Sequence, residues 1–81
     1  MRQFDVFVIG RKHVSKNKKD FYILNLAFGE CEDGVGYSNM MSAFVPEDIY
    51  EQMTTWSAYT VSGYIFYKDS KIVIKSVDAS L

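Results

Sequence analysis

The chain has 81 residues, a hydrophobic fraction of 48%, an aromatic fraction of 16% and a net charge of −1. That composition describes one domain with a small core, too apolar to be disordered and without the net positive charge of a general polyanion binder. A single cysteine, Cys31, and a single histidine, His13, leave no donor set for a zinc site and no internal disulfide, so no metal or cofactor is expected.

Residues 3–10, QFDVFVIG, read as a first strand, with Phe4, Val6 and Val8 on one face and Phe7 and Ile9 on the other. Gly10 marks a bulge or bend that would let this strand curl from one sheet into the next. A basic stretch follows at once. Five of the nine Lys and Arg residues, Arg11, Lys12, Lys16, Lys18 and Lys19, fall between positions 11 and 19, and Val14 to Lys18 reads as a loop with turn formers Ser15 and Asn17. From Lys19 to Phe28 a second strand places Tyr22, Leu24, Leu26 and Phe28 on a core face, leaving Phe21 and Ile23 pointing outward beside the lysines. Phe21 is therefore the first candidate for a base-stacking ring, with Tyr22 next if the register slips by one.

Gly29 to Gly36 is an acidic, glycine-rich connection whose carboxylates lack calcium-loop spacing. Tyr37 to Val45 is a third strand, with Met40 and Phe44 facing away from Tyr37, Asn39, Met41, Ala43 and Val45. Pro46 to Met53 is the one helical segment: proline opens it, Glu47 and Asp48 suit the positive end of the helix dipole, and Ile49 and Met53 share a face. Its acidity argues for a place away from any phosphate. Trp56 reads as a cover for the core. Ala58 to Tyr67 is a fourth strand with Val61 and Ile65 inward and a bend at Gly63, KDSK is a tight turn, and Lys71 to Val77 is a fifth strand returning antiparallel. There Ile72 and Ile74 point inward, and Lys75 outward, alongside Tyr67 or Lys68.

Three strands, a short helix and a hairpin are the element order of a five-stranded OB-fold-like Greek-key barrel, all-β, with one helix between strands 3 and 4; an SH3-like barrel has a similar number of strands. Charge is divided along the chain: residues 1–19 carry six basic groups and one acidic, whereas residues 30–51 carry six acidic groups and no Lys or Arg. The lysine-rich segments fall in the connections that flank the oligonucleotide face of that fold, strands 2 and 3.

The segments VSKNKKDFYILNLAF and YTVSGYIFYKDSKIVIKSV, a basic loop opening an aromatic strand and a long hairpin after the helical region, resemble the small single-stranded-DNA-binding proteins of filamentous phages, the gene V-type proteins. The resemblance implies an OB-fold homodimer that binds single-stranded DNA in phage or mobile-element replication. By position, it places the family's strand-two aromatic on Phe21 with Ile23 beside it, its loop basic groups on Lys16, Lys18 and Lys19, its distal-hairpin aromatic near Tyr67 and its last-strand basic residue on Lys75. The acidic segment Glu47 to Glu51 and the shorter hairpin between strands 4 and 5 depart from that family.

Together these readings lead to the expectation of sequence-nonspecific single-stranded nucleic-acid binding, with DNA first and RNA an alternative, through Arg11, Lys12, Lys16, Lys18, Lys19, Phe21, Tyr22, Ile23, Tyr67 and Lys75. Tyr37 and Phe44 are further rings that could stack a base. A protein-interaction or assembly module is the competing reading, and the acidic half motivates it. No enzyme is expected, because His13 and Cys31 lie in different connections without partners in a recognisable motif. No apolar run is long enough for a bilayer and no signal-peptide core is present, so no membrane partner and a cytoplasmic location are expected.

Overall fold

Alternation of core-facing and outward residues drives most of this chain into strands, and the computed structural model, which describes residues 1–81, closes them into a barrel. The elements are β1 (Arg2–Lys16), β2 (Lys19–Glu30), β3 (Tyr37–Val45), α1 (Glu47–Gln52), β4 (Ala58–Phe66), a single 3₁₀ turn (Tyr67–Asp69) and β5 (Lys71–Ser80). The closed strand order is β1-β2-β3-β5-β4, with β3 and β5 parallel and every other pair antiparallel. This is the OB-like barrel that the element order predicts.

One strand serves both halves of the barrel. Residues Arg2–Phe7 of β1 pair with β4, whereas Phe7–Lys16 pair with β2, and the register slips between Val8 and Gly10. Ile9 is the extra residue. A bulge bends and twists its strand, and here it stands where β1 crosses from one neighbour to the other. It also resets the alternation: Phe4, Val6 and Val8 face the core, and beyond the bulge Arg11 pairs with the buried Leu24, which brings Arg11, His13 and Ser15 to the core side. Lys12 and Val14 face outward in consequence.

The core is formed by Phe4, Val6, Val8, Leu24, Leu26 and Phe28 from β1 and β2, Ala43 and Val45 from β3, and Val61, Ile72 and Ile74 from the last hairpin. Fully burying each large aliphatic side chain contributes about 1.5 to 3 kcal/mol. Ile49 and Met53 of the helical segment are both buried and close one end of the barrel, as their four-residue spacing predicts. At Gly63 the two last strands come so close that a Cβ would lie 1.9 Å from the backbone oxygen of Val73, so only glycine fits this bulged position.

Two expectations are corrected here. The basic stretch is not a loop from Val14 to Lys18: pairing continues to Lys16↔Lys19, and only Asn17 and Lys18 form the turn, with φ of 52° and 62°. Such a left-handed two-residue turn matches the twist of the flanking strands, which lets them run to its edge. Trp56 does not cover the core. It is 71% exposed and leans on Phe7, whose ring in turn stacks on Tyr37 at 5.6 Å.

Candidate functional site

β2 pairs with β3 only as far as Tyr22↔Val45, so the residues on its tip side, with their β1 partners, form a two-stranded arm beyond the barrel. The molecule is correspondingly long, 45 × 26 × 25 Å. Strand alternation gives the arm, together with the end of the barrel from which it extends, two different faces. The pairs Lys12↔Ile23, Val14↔Phe21 and Lys16↔Lys19 lie on the outer face, and Arg11↔Leu24, His13↔Tyr22 and Ser15↔Asp20 lie on the face that leads to the core.

The outer face combines cations and rings. Phe21 is 40% exposed and Ile23 half-buried, and Phe44, 55% exposed, pairs with Ile23 from β3, one diagonal step from Phe21. Lys71 Nζ lies 5.7 Å from the centre of the Phe44 ring. The only ion pair within 4 Å in the molecule joins His13 to Asp20, so Lys12, Lys16, Lys18, Lys19, Lys71 and Lys75 all lack a carboxylate partner. Below these residues the same face carries Asn25 and Ser42, whose hydroxyl donates to the Asn25 Oδ1 at 3.1 Å, on the floor of an open depression of about 290 Å³ bordered by Ile9 and Met40.

The inner face of the arm is a network tied to the helix. Ser15 Oγ donates to Asp20 Oδ1, and His13 Nε2 lies 3.0 Å from the same oxygen. The His13 ring stacks on Tyr22 at 4.6 Å, Tyr22 packs on Tyr50 at 5.0 Å, and the Arg11 guanidinium lies 4.0 Å over the Tyr50 ring while Nη2 donates to the Tyr50 carbonyl at 2.7 Å. The hydrogen bonds from Ser15 and His13 hold the Asp20 carboxyl below its ordinary value. Burial, then the negative charge of Glu47 and Asp20, pushes the Tyr22 hydroxyl up. This side of the arm is acidic where it meets α1, a poor seat for a phosphate.

Of the expected site residues, the structure brings Lys12, Lys16, Lys19, Phe21 and Ile23 together on one surface, with Lys18 at the turn that ends it. Arg11 and Tyr22 are on the opposite side, because the Ile9 bulge turns Arg11 inward and Tyr22 is a core-side position of β2. Tyr67 does not join the group. Its ring packs 6.2 Å from Phe28 in a cleft shared with Arg2 and Glu30, and Phe28 is seven residues along β2 from Phe21, about 23 Å at strand spacing. Lys75 falls at the β5 bulge opposite Gly63 and Ser62 rather than beside Tyr67 or Lys68. Lys71, absent from the expected set, is placed on the face by the parallel pair Ser42↔Lys71, a contact between strands distant in sequence.

The acidic connection uses its own carboxylate locally, Asp33 Oδ1 accepting from the Val35 N–H at 2.9 Å. No helix is long and apolar enough to cross a membrane. No protein-family model matches the chain, and neither does any curated protein or solved structure.

Proposed function

We propose that the protein binds single-stranded nucleic acid, DNA in the first instance, without sequence preference, on the outer face of the arm and of β2 and β3. The observation that carries this reading is the coincidence of unpaired lysines with exposed rings on one surface that holds no carboxylate: Lys12, Lys16 and Lys19 beside Phe21, Ile23 and Phe44. Lysines neutralise phosphates and rings stack bases, with each stacked base worth roughly 1 to 3 kcal/mol. The sequence resemblance to the gene V-type proteins agrees with this use of the barrel. It would make the active species a cytoplasmic homodimer serving replication of a phage or mobile element.

Titration of labelled oligo(dT) at several salt concentrations tests the reading, with sizing of the protein and its complex alongside. Expected is tight binding at low salt, with log K falling by about 0.7 per phosphate contact for each decade of salt. Absence of binding at low salt, or binding indifferent to salt, would overturn it. Parallel gel shifts with duplex DNA and single-stranded RNA set the preference, since stacking does not read the 2′-hydroxyl.

A second reading has its own observation. Phe7, Tyr37 and the 71% exposed Trp56 form a ring cluster apart from the lysines, as a surface that docks another protein would. Lys12, Lys16 and Lys19 changed together to Glu with no loss of nucleic-acid binding would favour that module.

A further inference from the structure

The ring-and-lysine surface does not end at Phe44. On β4, Tyr64 and Phe66 are 42% and 47% exposed, their rings are 6.4 Å apart, and neither the core nor the proposed arm site explains them. Their register is informative. Phe66 pairs with Lys71 and Tyr64 with Val73, while the intervening Ile65↔Ile72 pair points to the core, so Tyr64, Phe66, Lys71 and Val73 share the outer surface. Lys71 is in turn the partner of Ser42 on β3, and its ammonium approaches the Phe44 ring. Four adjacent staves, β2, β3, β5 and β4, therefore present Phe21, Phe44, Lys71 and Phe66 in a diagonal row across three strand spacings, roughly 14 Å.

From this row we infer that Tyr64 and Phe66 form a second base-stacking station for the same single strand, which runs across the barrel with Lys71 holding a phosphate between the two stations. The inference rests on the reading above and extends it. Charge selects this occupant. The outer positions between the two stations are Asn25, Ser42, Lys71 and Val73, with no carboxylate among them, and Lys71 has no ion-pair partner. Of the outer carboxylates on β1 and β5, Asp5 accepts from Thr60, and Asp78 accepts from Gln3, Ser62 and Ser76; Asp69, on the turn that joins Phe66 to Lys71, is the one acidic group at that end of the row. A polyanion crossing the row meets cations at the arm and in the middle, and rings at both ends.

Oligonucleotide length separates the stations. A dinucleotide fills the Phe21 and Phe44 end, and a strand of about twelve nucleotides reaches both. The double variant Tyr64→Ser with Phe66→Ser is expected to bind the short oligo(dT) as the unsubstituted protein does, and to lose roughly 5- to 100-fold in affinity for the long one. Lys71→Gln, which leaves the rings in place, should lower the salt slope for the long oligonucleotide by about 0.7. Titrations of the double variant that match the unsubstituted protein at both lengths would overturn the inference while leaving the function in place. So would conversion of a dimer to monomers with affinity per chain for the long strand intact, since that outcome assigns the two rings to a second copy. If the unsubstituted protein binds neither length, the function falls and the second station with it.

Discussion

The two faces of the β1–β2 arm are built from the same dozen residues and do opposite work. On the outer face, lysines stand free beside exposed rings; on the inner face the side chains are linked to one another, from Ser15 and Asp20 at the tip through His13, Tyr22 and Tyr50 to Arg11 at the helix. The inner network gives the outer face a rigid mounting. An isolated two-stranded ribbon is marginal in water, and flexible lysines on it would lose conformational entropy on gripping a strand. Stacking the inner face on α1 fixes the arm before any ligand arrives. On the proposed function, whether a side chain acts on binding or on stability therefore follows from its parity in the strand.

The largest expected effect comes from reversing the outer charges. Lys12, Lys16 and Lys19 changed together to Glu should weaken oligo(dT) binding at low salt by at least about 100-fold, since three phosphate contacts become repulsions. Because none of the three is paired in the fold, the melting temperature should barely move. Loss of binding accompanied by unfolding would mean that the lysines support the arm and that the two faces are not separable.

Neighbouring rings sharpen the contrast. Phe21→Ser should lower affinity by about 1 to 3 kcal/mol with little change in melting temperature, because its ring is exposed on the outer face. Tyr22→Ser should do the reverse, a drop of about 5 °C or more with binding preserved below the transition, since its ring packs between His13 and Tyr50. Calorimetry and titration on the same two samples decide it. Equal effects of the two substitutions on binding would show that the face assignment does not govern function.

How much of this was readable in the sequence depends on the range of the interaction. Strand alternation is local, so the core face of β2, the outward Phe21 and Ile23, the inward Ile72 and Ile74, and the Ile49 and Met53 pair of the helical segment all followed from spacing. The element order pointed to an OB-like barrel, with an SH3-like barrel as the competitor, and the closed strand order is that of the first. The bulge was expected at Gly10, but its consequence was not: one extra residue at Ile9 inverts the parity of everything downstream, which moved Arg11 from the basic patch to the helix. Lys71 and Tyr67 show the other limit. Each is placed by contacts between segments far apart in sequence, Ser42↔Lys71 and Phe28 with Tyr67, and no local pattern encodes those distances. Trp56 was misread because a single large ring carries no periodicity to orient it.

Arg11 offers a third way to test the division. Its guanidinium lies over Tyr50 and donates to the Tyr50 carbonyl, a part-buried cation–π contact plus a charge-assisted hydrogen bond. Arg11→Ala should cost about 1 to 3 kcal/mol of stability by denaturant titration. The salt slope of binding should be unchanged, because the guanidinium touches no strand on the outer face. A slope reduced by about 0.7 would return Arg11 to the phosphate contacts and contradict the inward parity.

Asp20 carries the smallest expected effect and the finest test. Its carboxyl is held below the ordinary 3.8 by the Ser15 and His13 hydrogen bonds, so the folded state binds the proton less readily than the unfolded chain does. The sign follows: the contribution to stability is present above pH 3.8 and disappears as the pH falls through the lowered folded value. Asp20→Asn should thus melt below the unsubstituted protein at neutral pH, and the two curves should converge in acid. At neutral pH the same substitution removes the one carboxylate between Arg11 and Ile23, on the face away from the strand. Affinity for oligo(dT) should therefore rise only slightly, within about threefold, through the longer-range field. A large gain would place Asp20 within reach of the phosphates and merge the two faces; a melting difference that persists unchanged into acid would remove the ionised carboxylate from the inner network.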